Sequence, residues 1–460
     1  MDPQPETKTE EKNKNKTVTK TETKKPLIRL DPPAGTRDFG PSDMRIRNWL
    51  FDIWRDISKK FGFSEYDCPI VEYQSLYTLK RNNDDILNEM FAFTLGENAL
   101  CLRPEMTPSL ARLFMSNPTA EPLPVKWATI AQCWRYEDIK RGRKREHYQW
   151  NCDSIAGENI VSEIEIFMMI TTFFERVGLT PQEVQLKVSN RMILQKVLDK
   201  MGVGEDLFGK ACIAIDKIAK ISRDDMTVML KSEIGLTEDQ VATIYELCAV
   251  TDIKLVGKFL DETDETFLEM VKIFDMAEEV GIKKWISCDL SIVRGLSYYT
   301  NVVFEGFCIT GSGVSRSIVG GGRYSKLLET YGYHKPTPMI GFGFGDVVII
   351  ETLKDLGKLP ILKIETKFLV IAHNSTLMGE AMKLSRQMRN LGVCVETYTG
   401  SPRIKHAYDF ANKKQIDNTI LIAPNEWANG EIVWKKMNED KDSQTKQQIM
   451  KIDDFMKSLC

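Results

Sequence analysis

Between Cys133 and Asp153 the chain reads Cys-Trp-Arg-Tyr-Glu-Asp-Ile-Lys-Arg-Gly-Arg-Lys-Arg-Glu-His-Tyr-Gln-Trp-Asn-Cys-Asp, with its basic side chains crowded around Gly142. Glycine supplies a turn that other residues resist, so a hairpin with a cationic tip is expected. Arginine offers a planar fork to phosphate oxygens, which suits such a tip to a triphosphate or an RNA end. A charge run is ordinarily a solvated face. Here the flanks are strand-like, and Gln149 and Asp153 are an even number of residues apart, so both would point from one face of a sheet.

Three further segments carry polar groups in unusual company. In Leu102–Arg112, Glu105 could hold an ammonium group and Thr107 could add a hydroxyl acceptor; a helix start, with Thr107 as cap and Pro108 in the first turn, explains the same residues equally well. In Leu290–Glu305, Arg294 has little other charge around it and precedes Tyr298 and Tyr299. Buried, it would need an anion, either a bound carboxylate or phosphate, or an internal partner such as Glu305. Gly320-Gly-Gly-Arg-Tyr324 and Gly341-Phe-Gly-Phe-Gly345 read as turns where backbone approaches a ligand closely. Neither has the spacing of a Walker A loop or of a dinucleotide-binding turn.

These segments must be positioned by regular elements. Ile46, Leu50, Ile53 and Ile57 fall on one face of a helix that Ser42 or Asp43 could cap and Gly62 could end. A strand over Phe63–Pro69 is expected at a sheet edge or bulge, because proline has no ladder donor. Short strands and turns are expected over 99–155, an amphipathic helix over 160–176 and a strand at 186–188. A helical block follows, with apolar spacing such as Val241, Ile244, Tyr245 and Cys248. Strand character returns over 285–307 and 317–319. Antiparallel strands interleaved with helices predict an α+β sheet domain with a helical insertion. After Pro360, apolar strands at 368–372, 393–397 and 419–422 alternate with helical segments, the pattern of a small C-terminal α/β domain. The expected divisions are a polar tail at 1–25, two parts of the sheet domain at 26–189 and 286–360 around an insertion at 190–285, and a final domain at 366–460.

Composition narrows the choices. The chain has 460 residues, 42% hydrophobic, and a net charge of -3, enough apolar content for large cores but no global field for nucleic acid. With no long apolar run, neither a membrane span nor a signal peptide is expected, and a cytoplasmic protein is the expectation. Residues 1–25 hold seven Lys, five acids and no Arg, a composition too polar to fold and unlike an Arg-rich organellar presequence. No two of the ten cysteines form a CxxC pair, and the four histidines form no HExxH, so reduced buried thiols and no protein-held metal are expected.

Taken together, the segments resemble the class II aminoacyl-tRNA synthetases, and within them the histidyl-tRNA synthetases. Pro-Pro-Ala-Gly-Thr-Arg-Asp-Phe at 32–39 is similar to that family's N-terminal signature, the helix and strand ending at Pro69 to class II motif 1, and 133–153 to motif 2 with its loop. Residues 293–305 and 320–324 resemble the two histidine-specific signatures. The resemblance implies an antiparallel-sheet catalytic domain, a C-terminal anticodon-binding domain and a homodimer that joins L-histidine to tRNA(His) at the expense of ATP, which brings Mg²⁺ with it.

It also implies roles. Arg135 and Arg294 would be catalytic, at the α-phosphate and the substrate carboxylate, and Arg143 would meet the outer phosphates. His147 would pack on adenine where an aromatic ring is common. Glu105, Thr107 and Gln149 would hold the α-ammonium; Asp153 and Tyr299 would read the imidazole, with Tyr298 and Tyr324 lining the pocket. In the last domain, Arg403, Lys405, Lys413 and Lys414, with Trp427 and Trp434, would face RNA. The sequence departs from the class II pattern at Val348, where motif 3 ends in an arginine. That departure keeps two relatives in view, the synthetase-like domain of a stress-sensing kinase and the regulatory subunit of ATP phosphoribosyltransferase. Synthetases for threonine, proline or glycine lack both histidine signatures.

Overall fold

The computed structural model describes residues 27–79, 85–218, 221–293, 298–314, 316–401, 403–437 and 447–459. The chain divides after Leu359 into two compact units.

The first unit opens with helix α1 (Pro41–Lys60), which buries Leu50, Ile53, Trp54 and Ile57 as the spacing predicts. Its N-cap is Gly40, with no side-chain cap. Pro41 is preorganised for the first helical position, so Ser42 and Asp43 lie inside the first turn rather than before it. Gly62, at φ +77°, ends the helix as expected. Strand β1 is only Ser64–Glu65 and pairs in parallel with β5 (Val125–Trp134). The expected run to Pro69 stops short because the last link to this edge is the Tyr66 N–H on the Ala128 carbonyl, 2.9 Å.

Then come β2 (Val71–Tyr73), α2 (Ser75–Thr78), β3 (Phe91–Leu95), β4 (Asn98–Leu102) and α3 (Thr107–Ser116). After β5 follow β6 (Glu146–Ile155), α4 (Val161–Arg176) and β7 (Val184–Asn190). Five helices intervene: α5 (Arg191–Lys200), α6 (Glu205–Ile215), α7 (Arg223–Ile234), α8 (Glu238–Cys248) and α9 (Glu265–Glu279). The unit closes with β8 (Ile286–Cys288), β9 (Val302–Cys308), β10 (Val319–Arg323), α10 (Leu327–Thr330), β11 (Met339–Gly345) and α11 (Asp346–Asp355). The main sheet has the order β1-β5-β6-β11-β10-β9-β7-β8, antiparallel except at its two ends, and β2-β4-β3 form a smaller sheet. The region 99–155 thus holds two ten-residue strands and a helix rather than short strands alone.

Two expectations about strands fail for physical reasons. The run 285–307 is broken, because Asp289 turns the chain by accepting the Ser291 N–H on its side chain, 3.1 Å. The glycine-rich segments are strands, β10 and β11, and not turns.

Alternation gives the sheet two unlike faces. Trp150 and Cys152 of β6 and Phe342 and Phe344 of β11 enter the main core. There Trp54 stacks on Trp150 at 5.9 Å between centroids, and Phe173 of α4 meets Phe344 edge-on at 4.8 Å. The alternate residues, Gln149, Asn151 and Asp153 of β6 and Gly341 and Gly343 of β11, therefore lie on the opposite face. The helices after β7 join the same core through Leu230, Val241, Ile244 and Leu247, and several carry their own caps, such as Thr237 paired with Gln240.

The second unit contains β12 (Phe368–Ala372), α12 (Met378–Asn390), β13 (Val395–Thr397), α13 (Ile404–Lys414), β14 (Asn418–Ile422), α14 (Pro424–Ala428), β15 (Glu431–Lys436), β16 (Gln447–Lys451) and α15 (Ile452–Ser458). Its sheet runs β13-β12-β14-β15-β16. Phe368 and Val370 pack with Leu384 and Met388 of α12, while Leu369 and Ile371 pack with Ala407 and Ala411 of α13. Burial on both faces explains why β12 reads as an unbroken apolar run.

Candidate active site

The glycines of β10 and β11 clear the polar face of the sheet. A Cβ on Gly341 would overlap the carboxylate of Asp153, and one on Gly343 would overlap the amide of Gln149. A Cβ on Gly322 would come within 2.9 Å of Tyr299 Cδ1. Side chains from β6 and the segment before β9 thus lie flat across their neighbours, which only glycine permits.

Asp153 ends this face at 1% exposure. The Tyr324 hydroxyl donates to its Oδ1, while its buried Oδ2 has no partner. Burial pushes the carboxyl up to about 7, against the Tyr324 hydrogen bond and helped by the charge of Glu105. A buried acceptor without a donor is rare, and its natural complement is an N–H from a bound molecule. Three aromatic rings surround this corner: Tyr298 lies 4.8 Å from Tyr299 and 5.6 Å from Tyr324 between centroids. The Tyr298 hydroxyl donates to Glu105 Oε2 at 2.8 Å.

Glu105 is buried in the bend between β4 and α3. Arg103 fixes that bend, pairing with Asp67 at 3.0 Å and donating from Nε to the Gln132 carbonyl at 2.9 Å. Thr107 is buried in the first turn of α3, whose N-cap is Met106, so the expected Thr107 cap does not form. Its hydroxyl is not used to cap the helix.

The other end of the site is cationic. Arg135, just after β5, donates from Nε to the Pro104 carbonyl at 2.9 Å, which joins the two ends. The hairpin between β5 and β6 turns at Gly142, φ +74°, as expected. Arg143 binds Glu137 through Nε and lies 3.2 Å from Glu89. Arg316, which precedes β10, reaches the same Glu137 at 3.7 Å. His147 of β6 is driven down to about 3 by burial and then by the charge of Arg135, so it is neutral across the physiological range. Val348 lies in the first turn of α11 and is buried. Of the expected site residues, Asp153, Glu105, Tyr298, Tyr299 and Tyr324 converge at one end, Gln149 extends over the same face, and Arg135, Arg143 and His147 belong to the other. Arg294 lies outside the described residues.

Sequence reasoning missed two clusters that support these ends. Arg37 pairs with Glu146 at 2.6 Å and with Asp346 at 3.0 Å, tying the start of β6 to the start of α11. Burial pushes Asp346 up to about 6 although Arg37 opposes it, and Asp346 also accepts the Tyr148 N–H at 2.9 Å. Arg323 donates from Nε to Glu163 of α4 at 2.7 Å and pairs with Glu269 of α9 at 2.8 Å. Glu146 stands within a charged run and Asp346 opens a helix, so neither announced itself as a buried partner of Arg37. Their partners are far away in sequence and could not be paired from it.

In the second unit, Arg403, Lys405, Lys413 and Lys414 are exposed on or beside α13, and Lys414 pairs with Glu396 at 2.8 Å. Trp427 packs against the core, and Trp434 donates to Asn418 at 3.0 Å. Both indoles are half-buried.

The antiparallel sheet with its two-ended polar face is an architecture seen in solved structures. A histidyl-tRNA synthetase from Nostoc sp. PCC 7120 superposes with a TM-score of 0.79 at 22% identity, covering 94% of this chain and 99% of that one. A protein from Bacillus halodurans C described as an ATP phosphoribosyltransferase regulatory subunit/histidyl-tRNA synthetase gives 0.71 at 20% identity, covering 86% of this chain and all of that one. These likenesses define the fold.

The histidyl-tRNA synthetase sequence model matches residues 35–345, and an anticodon-binding domain model matches 367–459. A curated relative, the chloroplastic/mitochondrial histidine--tRNA ligase of Arabidopsis thaliana, is 40% identical over 91% of this chain and 85% of its own length. The histidine--tRNA ligase of Haloarcula marismortui is 31% identical over 89% and 94%. The chain belongs to the histidyl-tRNA synthetase family.

Proposed function

We infer that this chain is an active histidine--tRNA ligase, and the observation that carries the reading is the orphaned, buried Oδ2 of Asp153 beside Tyr298, Tyr299 and Tyr324. An imidazole N–H is the right donor for that oxygen. A side chain without a ring N–H would leave the acceptor unmade, a penalty that gives hydrogen-bonding sites their selectivity. Glu105, Thr107 and Gln149 take the α-ammonium. Tyr298 holds Glu105 in place, so the ammonium and ring sites are linked through one hydroxyl.

At the other end ATP lies along the hairpin. A histidine carboxylate oxygen attacks the α-phosphorus, the bond to the bridging oxygen breaks, and pyrophosphate leaves. Negative charge gathers as two anions meet, and fixed guanidinium groups stabilise it without reorganising. Arg135 takes the α-phosphate and Arg143 the outer phosphates; by resemblance Arg294 approaches from the carboxylate side. His147, neutral, offers a ring to the purine and no proton. The adenylate is then attacked by a terminal ribose hydroxyl of tRNA(His), and AMP leaves. No described group of three acidic, histidine or cysteine side chains fits a metal ion, and Glu89 and Glu137 already face Arg143. By resemblance Mg²⁺ would come with the phosphates of ATP, and no step here runs through it.

Catalysis is assigned to the two parts of the first unit, anticodon reading to the second, and acceptor-stem clamping to the helices between β7 and β8. A homodimer built on the motif 1 region is part of the reading. No described helix is long and apolar enough to cross a membrane. We place this copy in the cytoplasm, although the Arabidopsis relative carries an organellar name. The test is ATP–pyrophosphate exchange by the purified protein, followed by charging of tRNA(His). Histidine-dependent exchange is expected; exchange with another amino acid, or none, refutes the reading.

A further inference from the structure

Beside Arg143 at the cationic end lies Arg316, to which the roles above give no part. We propose that Arg316 is a further ATP-positioning residue, which shares the outer phosphates with Arg143. The proposal rests on the reading of this end as the ATP site.

The geometry is a shared acceptor. Glu137 is bound by Arg143 Nε, and the same carboxylate oxygen lies 3.7 Å from Arg316 Nη1. Two cations from separate stretches of chain thus meet at one small anion. Arg135 adds its charge to the group, and Glu89 is the second carboxylate present. Asp138 also acts on Arg143, so the three guanidinium groups face three carboxylates, of which Glu137 is the one that Arg143 and Arg316 share. Burial, then repulsion from Arg143 and Arg135, makes Arg316 less basic than an ordinary arginine, though it stays charged.

Arginines that serve structure in this protein look different. Arg37 and Arg323 are nearly buried and each pairs with two carboxylates, at distances such as 2.6 and 3.0 Å for Arg37. The side chain of Arg316 is 40% exposed and its ion pair is long. Its place in the fold is nevertheless fixed: a Cβ on Gly142 would lie 3.8 Å from Val348 Cγ2 and 4.0 Å from Arg316 Cδ, so the hairpin turn rests beside both. Val348 contributes no charge to this end, and Arg316 borders the same hairpin turn. A polyanion that displaced Glu137 would relieve the crowding of the three guanidinium groups, as the outer phosphates of a nucleoside triphosphate would and a monophosphate would not.

The experiment uses the full chain and compares wild type with Arg316→Ala and Arg316→Lys. Calorimetric titration with ATP and with AMP is expected to show ATP weakened about tenfold or more in Arg316→Ala, AMP changed by less than about twofold, and Arg316→Lys between the two. In exchange kinetics the KM for ATP should rise while that for histidine holds. Equal loss of ATP and AMP, or a parallel rise in the histidine KM with a lowered melting temperature, would show a structural role and overturn the proposal, as would unchanged ATP affinity. If the wild type fails to exchange with histidine while Arg316→Ala still loses ATP selectively, the ligase reading falls and the assignment of Arg316 stands.

Discussion

The two ends of the site are built on opposite principles. The end proposed for the amino acid is dry: Asp153, Glu105 and Tyr324 are almost fully buried, and Asp153 Oδ2 is left without a donor. The end proposed for the phosphates is more exposed, and there Arg143 is held by the protein's own carboxylates, Glu137 and Glu89, and Arg135 by the Pro104 carbonyl. A buried site sets its geometry in advance and discriminates through unmade hydrogen bonds. A wet, charge-balanced site is adjustable and discriminates little, but it can exchange internal anions for phosphates. Selectivity for the amino acid should therefore reside at one end and affinity for nucleotide at the other.

The strongest way to break this contrast is to fill the space that Asp153 occupies. Gly341→Ala forces the carboxylate aside, and kcat/KM for histidine in exchange should fall about 100-fold, with about 1–3 kcal/mol lost in chemical denaturation from overpacking. The KM for ATP should barely move. At the wet end, Arg143→Ala should raise the KM for ATP about tenfold, and its effect should shrink in high salt because the group is partly screened.

Titration sharpens the contrast. The Asp153 pKa, raised from 3.8 to about 7 in the folded protein, means that its stability contribution is full below 3.8 and lost as pH rises through about 7. In ligand-free protein at pH 8, Asp153→Asn should therefore melt about 2–4 °C higher than wild type, although it binds histidine less well. At pH 4 the two should melt together. The smallest expected effect is at His147. Because it is neutral above about 3, His147→Phe should leave the shape of the pH–rate profile unchanged between pH 6 and 9.

The same contrast explains what could be read from sequence. Gln149 and Asp153 share a face by simple alternation, and the six basic residues around Gly142 announced a cationic hairpin. The apolar helix faces of α1 and α4 were legible for the same reason: burial writes a period into the chain. The glycine-rich strands were misread as turns because only a neighbouring strand shows why they lack side chains. Gly341 is explained by Asp153, which lies 188 residues earlier and sits opposite it in register. The Arg37, Glu146 and Asp346 lock was hidden likewise, since its three charges come from three elements. Arg323 received no role from the sequence, because its partners Glu163 and Glu269, on two helices, are 160 and 54 residues away.

The central claim is that the carboxylate of Asp153 reads the imidazole ring. ATP–pyrophosphate exchange, measured for wild type and Asp153→Ala with each of the twenty amino acids, tests it directly. The account predicts exchange with histidine alone in the wild type, a loss of about 100-fold or more in the variant, and an ATP KM within about twofold of wild type. Undiminished histidine-dependent exchange in Asp153→Ala would contradict it.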